Sequence, residues 1–396
     1  LEHHRKIEPA VHESQRWLQQ AVTKLDAFIA APNQSANAGT RTALQRHFHT
    51  TDVNIVRRVR NRLETIRTDM LSRDPFTTEC HTDADSTCKT SGAYVPGTNR
   101  SMIVFCPNFF AGSDGFRVKT MIHEMAHTLL GGPHITDRGY SSDRVLPYLS
   151  TAEALTNAES YAFLAQELGT GVEPQTNAAV DEIDEDCGPQ VTEFAKRAIA
   201  RAQRWNRDAE TVAGDKGNLG DDLLETHFGS KTAETRAAAL DFYRKMVERL
   251  HTPIEVQCDK KARSNRKAYG LTERNRTGTG AMIGSIVGGV LGAAAGGIIG
   301  GFVGGLGGGV LGGFLGAALG GLVGAGIGAA IGYAASSSAK VVLSPSWKDQ
   351  GDENDRVETV LTAIYEAYAG ADTIKSQQYA EFARAAHQRW FSVPAI

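Results

Sequence analysis

Apolar residues return at helical spacing from Val11 to Ala30 and again from Thr42 to Leu71, where Leu44, Phe48, Val56, Val59, Leu63 and Ile66 mark core helices. Between Tyr94 and Phe110 the pattern changes to a turn and then a short β-branched and aromatic run, which predicts a strand. Met121, Ile122, Met125, Leu129 and Leu130 predict another helix, half buried and stopped by Gly131-Gly132-Pro133. After Leu168 the run Asp181, Glu182, Asp184, Glu185 and Asp186 reads as a solvated acidic connector.

Beyond the connector the order of the first part returns. Gln203-Arg204-Trp205 parallels Gln15-Arg16-Trp17, Leu224 to Phe228 parallels Leu44 to Phe48, and a helix ending near Leu250 leads to Cys258 as Leu71 leads to Cys80. Ala339 to Trp347 then parallels Ser101 to Phe109, and the helix starting at Arg356 parallels the one starting at Arg117. Matches in the same order at nearly constant offset predict a second copy of one fold, from about residue 180 to 396. In that alignment His123, Glu124 and His127 meet Thr362, Ala363 and Glu366, so the second copy is degenerate.

From Thr277 to Ala339 no residue is charged, and glycine recurs at every fourth position from Gly280 and Gly284 to Gly328 and Gly332. In water this much glycine weakens a helix by about 1 kcal/mol per residue, whereas in a bilayer glycines let two helices touch closely. The stretch predicts a glycine-zipper membrane hairpin with two arms around Gly307-Gly308-Gly309, each long enough for the roughly 20 residues a span needs. Lys260, Lys261, Arg263, Arg266, Lys267, Arg274 and Arg276 form a basic flank suited to an anionic membrane face.

A length of 396 residues predicts two or more domains, and a net charge of −3 gives no reason to expect a nucleic-acid partner. The charged start Leu1 to Lys6 is not followed by an apolar run, so no signal peptide is read there. Five cysteines lie near strands and turns without any Cys-x-x-Cys spacing, which favours disulfides and an oxidising compartment.

The chemistry concentrates at His123-Glu124-Met125-Ala126-His127, an HExxH motif. On a helix its two histidines, four apart, lie one above the other on one face and can grip one metal ion. Zinc suits them, since it needs three protein groups and leaves a fourth position for water. Glu124 then sits where a carboxylate can take a proton from an attacking water and pass it to a leaving amine. Three residues are candidates for the third ligand: His134, Asp137, which begins an Asp-x-x-Tyr turn ending at Tyr140, and Glu159.

HExxH followed by Thr136-Asp137-x-x-Tyr140 and then Asn157-Ala158-Glu159-Ser160-Tyr161 resembles the aspzincin (deuterolysin-like, M35) metallopeptidases, which include lysine-specific endopeptidases. The resemblance covers about Val11 to Leu168 and implies zinc held by His123, His127 and Asp137, Glu124 as the catalytic base, and Tyr140 as the residue that steadies the oxyanion. It makes the strand between Tyr94 and Phe110 an edge strand. It pairs Cys88 with Cys106, matches Cys187 with Cys258 in the second copy, and leaves Cys80 over. Lysine-specific relatives place two acidic residues in the last stretch. Here Glu159 matches the first as a substrate-binding residue, while Ala162 stands where the second is expected.

The expectation is thus an α+β, mostly helical chain: a zincin-like peptidase domain over 1–175, the first part of a degenerate copy over 176–276, the hairpin over 277–339 and the rest of the copy over 340–396. Its function is read as zinc-dependent hydrolysis of protein or peptide substrates, in an exported bacterial effector or toxin associated with a membrane. The alternative is a membrane-inserting or pore-forming toxin in which proteolysis is secondary.

Overall fold

The computed structural model describes residues 4–72, 77–85, 87–89, 91–96, 99–128, 135–215, 217–259, 268–271, 340–369 and 373–391. The chain divides into two units, Leu1–Asn177 and Ala178–Pro394. The residues expected to form a membrane hairpin, all of its basic flank and His134 lie outside the described residues. No helix among the described residues is long and apolar enough to cross a membrane.

In the first unit, α1 (His4–Ala30) is the spine against which α3 (Val53–Ser72), α5 (Asp114–His127) and α7 (Ala158–Thr170) pack. Its apolar face buries Trp17, Leu18, Leu25 and Phe28. Gly169 permits the contact with α7, because a Cβ there would lie 2.7 Å from the Trp17 backbone. The apolar series from Thr42 to Leu71 is divided between α2 (Ala38–Phe48) and α3. His49 ends α2 in the left-handed region at φ 53°, and the Asp52 carboxylate accepts from the amides of Asn54 at 2.9 Å and Ile55 at 3.0 Å to start α3. Leu44, Phe48, Val56, Val59, Leu63 and Ile66 are all buried.

The sheet of this unit has the order β1 (Thr77–Cys80), β3 (Met102–Phe105), β2 (Ala93–Tyr94), with β1 parallel and β2 antiparallel to β3. The run expected as an edge strand is therefore the central one. Its residues Ile103, Val104 and Phe105 are buried on both faces of the sheet, as suits a strand with a neighbour on each side. The Cys88–Cys106 disulfide ties the loop before β2 to the end of β3, while Cys80 is a free, exposed thiol. Two short helices, α4 (Pro107–Ala111) and α6 (Thr151–Ala154), complete the unit.

The second unit runs β4 (Glu182–Ile183), α8 (Gly188–Gly214), α9 (Asn218–Phe228), α10 (Ala233–Leu250), β5 (Glu255–Cys258), β6 (Ala268–Leu271), β7 (Lys340–Leu343), α11 (Glu353–Ile364), a π-helical turn at Tyr365–Ala369 and α12 (Thr373–Phe391). Its sheet order is β4-β5-β7-β6, parallel except for β6. The acidic run expected as a solvated connector is thus partly a strand. Asp181 accepts from the Ile254 amide at 3.0 Å, β4 pairs with β5, and Cys187 is bridged to Cys258.

The core of this unit is aromatic. Phe242 and Tyr379 stack with ring centroids 3.8 Å apart, and Tyr243, Tyr365 and Phe382 are fully buried around them. The phenols are satisfied in a chain: Tyr365 donates to Asn206 Oδ1 at 2.8 Å, Asn206 Nδ2 to the Tyr243 carbonyl at 3.0 Å, and Tyr243 to the Tyr379 carbonyl at 2.8 Å. Beside them the buried Asp208 meets Arg204 at 2.8 Å and His387 Nδ1 at 2.7 Å. Burial pushes the Asp208 carboxyl up, but Arg204 and His387 outweigh it and hold it below its usual range.

A carboxylate depressed in the folded state contributes stability that is fully present above its unfolded pKa and is lost as pH falls through its folded one. Asp208→Asn should therefore cost roughly 3 kcal/mol at neutral pH, the scale for leaving a buried charge without its partner. The deficit should shrink once the pH drops below the ordinary carboxylate range, because the wild-type protein loses the same charge there. Denaturant titrations of both proteins from pH 7 downward measure it, and a deficit that stays constant to pH 2.5 would count against this role.

Candidate metal centre

Helix α5 starts at Ser113, whose hydroxyl accepts from the Phe116 amide at 3.2 Å, and buries Val118, Met121, Ile122, Met125 and Ala126. That packing orients the polar residues among them. His123 and His127 lie a turn apart with their Nε2 atoms separated by 3.2 Å. Asp137, from the chain after the helix, brings Oδ1 to 3.0 Å from His123 Nε2 and 3.2 Å from His127 Nε2. One ligand atom from each of the three lies within 4.8 Å of the others, and no other such group of His, Cys, Asp or Glu occurs among the described residues.

The donor chemistry fits a cation. His127 Nδ1 lies 3.0 Å from the Ile135 carbonyl and His123 Nδ1 lies 2.9 Å from Glu159 Oε2, so both Nδ1 atoms are donors and both Nε2 atoms are left facing Asp137. Two imidazole nitrogens and one carboxylate oxygen suit zinc, with a position left open. The electrostatics agree: burial opposes charge on both histidines, yet the Asp137 carboxylate overrides it and raises His127, and raises His123 well above the usual range. Asp137, pushed up by burial, is drawn well below its ordinary value by the two rings.

Asn157 places Asp137. Fully buried, it forms a parallel bridge with Thr136, accepts at Oδ1 from the amides of Arg138 at 2.8 Å and Gly139 at 3.1 Å, and donates from Nδ2 to Ser160 Oγ at 3.0 Å. Gly139 is needed where the loop passes Val145, since a Cβ would come within 2.8 Å of its methyl. The Tyr140 amide donates to Asp143 at 2.8 Å, and its ring stacks on His123 at a centroid distance of 5.8 Å and 19°.

Glu124 is buried, and that burial is the main reason its pKa is raised. Glu159 is also buried and spends both oxygens: Oε2 on His123, Oε1 on Lys119 Nζ at 2.8 Å and the Ser141 amide at 3.1 Å. Burial raises its pKa, but the His123 hydrogen bond and the Lys119 charge together bring it down to about 2. The structure thus gathers His123, Glu124, His127, Asp137 and Tyr140 around one point, with Glu159 behind His123 and not among the ligand atoms, while His134 lies outside the described residues. What the sequence reading missed is the support: the Asn157 amide, the Ile135 carbonyl and Lys119. Lys119 could have been found, being one turn before His123 on the same helix face.

A helix-borne histidine pair, an aspartate from the next loop and a buried glutamate between the histidines define a metallopeptidase-type zinc site. Residues 33–166 match the family model described as Lysine-specific metallo-endopeptidase, Aspzincin_M35. The chain is similar to "Neutral protease 2 homolog MEP7" of Coccidioides posadasii (strain C735), 29% identical over 181 residues, which cover 41% of this chain and 49% of that protein. The chain therefore spans about half the length of the curated relative it matches.

The purified chain should bind about one zinc per molecule, as expected for a three-ligand site with one open position. Asp137→Ala should abolish binding, and Asn157→Ala should weaken it by about 10–100-fold by letting the loop drift. Zinc competes with protons for both imidazoles, so affinity should fall as the solution is acidified. Chelator competition at several pH values measures all three. Normal zinc affinity in Asp137→Ala would reassign the third ligand, with His134→Ala as the next variant to make.

Proposed function

We propose that the first unit is a zinc-dependent endopeptidase, carried by one observation above the rest: three donor atoms from His123, His127 and Asp137 converge beside the buried carboxylate of Glu124. His123, His127 and Asp137 hold the ion. Zinc bound there supplies Lewis-acid polarisation of a carbonyl and makes a water more acidic. Glu124, whose raised pKa brings it nearer neutrality, accepts the proton of the attacking water and delivers it to the departing amine. Tyr140, held against His123 by its stacked ring, donates a hydrogen bond to the oxyanion.

The second unit is read as a ligand-less copy of the first. Support comes from corresponding elements: α8 matches α1 with 27 residues each, and α9 matches α2 with 11. Both short helices end at the aligned phenylalanines, Phe48 and Phe228, followed by left-handed His49 and Gly229. Strands β5, β6 and β7 repeat the pairing senses of β1, β2 and β3. Gly270 of β6 lies so close to the end of α11 and the π-helical turn after it that a Cβ would come 2.5 Å from the Ala363 carbonyl and 2.3 Å from the Ala367 amide nitrogen, and its own amide donates to Glu366, the residue aligned with His127.

The two disulfides support an oxidising compartment and hence export. The uncharged glycine-periodic sequence from Thr277 to Ala339 supports a membrane-inserting hairpin on an exported effector or toxin. The same observation favours the second reading, a membrane-inserting toxin in which proteolysis is secondary.

Glu124→Gln should keep zinc and lose roughly 10²–10⁴-fold in peptide hydrolysis, the usual worth of a general base. Undiminished hydrolysis would remove Glu124 from the mechanism. Liposome flotation tests the hairpin: the full chain should float and a chain lacking 277–339 should not. If both remain soluble, the membrane reading fails. If toxicity survives in Glu124→Gln, the membrane reading takes precedence over the proteolytic one.

A further inference from the structure

The family model matched by residues 33–166 is described as lysine-specific, and a site that selects lysine must offer its ammonium an acidic side chain close to the reacting bond. Among the described residues four buried or half-buried carboxylates belong to the segments that build this centre, and three of them already bond groups of the protein. Asp137 faces the two histidines, Glu124 is the base, Asp143 accepts from the Tyr140 amide, and Glu159 binds His123, Lys119 and the Ser141 amide. Glu159 is the one acid among them that carries an ammonium, and that ammonium belongs to the protein itself.

We propose that Lys119 is the built-in counter-ion of Glu159, occupying from helix α5 the place a substrate lysine would take, so that the enzyme does not select lysine and Glu159 is a positioning residue for His123. This rests on the peptidase reading above. Lys119 is well placed for the part. Its Nζ lies 2.8 Å from Glu159 Oε1 and 3.5 Å from Ser141 Oγ, and sits 5.2 Å from the centre of the Phe163 ring. The charge-assisted bond, the hydroxyl and the aromatic face together hold the ammonium in a largely buried place. A second ammonium arriving there meets the first at close range with little water between them, and both Glu159 oxygens are already bonded.

The same ion pair acts on the metal ligand. With Lys119 and the Ser141 amide fixing Oε1, Oε2 is held toward His123 Nδ1, which keeps His123 Nε2 turned to the metal position. Lys119 therefore serves Glu159 and Glu159 serves His123.

The test uses the zinc-loaded full chain, with mass spectrometry of a mixed proteome digest as the first readout and chelator competition for zinc as the second. Wild-type cuts should show no enrichment of lysine next to the cleaved bond. Lys119→Met, which keeps length and removes charge, should raise that enrichment roughly tenfold or more, as expected from deleting a like charge at close range. Lys119→Arg should restore the wild-type profile. Glu159→Gln should weaken zinc by about 10-fold or more, whatever the cleavage profile, because it removes the charge from the acceptor behind His123. Lysine enrichment in the wild-type digest, or a Lys119→Met profile equal to the wild type, overturns the specificity assignment. Unchanged zinc affinity in Glu159→Gln overturns the positioning role. If wild-type protein binds zinc but cuts nothing, it is the peptidase reading that has failed, and with it the specificity assignment, while the competition result still decides the role of Glu159.

Discussion

The metal centre depends on one buried amide. Helix geometry alone brings His123 and His127 together, but the third ligand lies on a chain segment with no regular structure of its own, and such segments hold a position only if something fixes their backbone. Asn157 does this by accepting from two successive amides, those of Arg138 and Gly139, directly after Asp137. It stands at the N-cap position of α7, with its side chain bonded to the loop amides and the Ser160 hydroxyl instead of to a backbone amide of the helix. The helix whose packing against α1 defines the unit therefore also fixes the loop.

That arrangement places buried charge at the heart of a small unit. A carboxylate in a dry interior is costly unless its partners are fixed before it is desolvated. Here two of the carboxylates have them: Asp137 faces two imidazoles, and Glu159 faces an imidazole, an ammonium and an amide. The second unit solves the same packing problem with rings. Its strand β6 rests on α11 through Gly270, and tyrosines joined through Asn206 and backbone carbonyls fill the interior. A core of that kind needs no ion. It retains one buried ionic group, Asp208 with Arg204 and His387, on helices well away in sequence from the residues aligned with the histidines.

The sequence was most legible where local periodicity decides the structure. The helical apolar series, the HExxH pair and the Asp-x-x-Tyr turn each carry their geometry in their spacing. The reading failed where pairing depends on residues far apart. Nothing within Met102–Phe105 says that β1, some twenty positions earlier, returns to lie parallel beside it, so a central strand was taken for an edge. The acidic run near Asp184 was read from its charge, whereas its backbone joins a sheet through Ile254 and Val256. Glu159 was read from its alignment with substrate-binding acids, and its partners His123 and Lys119 are visible only once α5 and α7 are packed.

Lys119, as proposed, lets one carboxylate keep its role behind a ligand without offering its charge to a substrate. The carboxylate behind His123 has a task that any substrate requires, namely holding a ligand ring at a fixed angle. Its charge, however, is a second property, available to an incoming cation only if the protein leaves it exposed. A single lysine one turn before the motif separates the two. It leaves the hydrogen bond to His123 in place while neutralising the charge from within, and it does so from the same rigid helix that carries the histidines, so the pair stays in register with the ligand it supports.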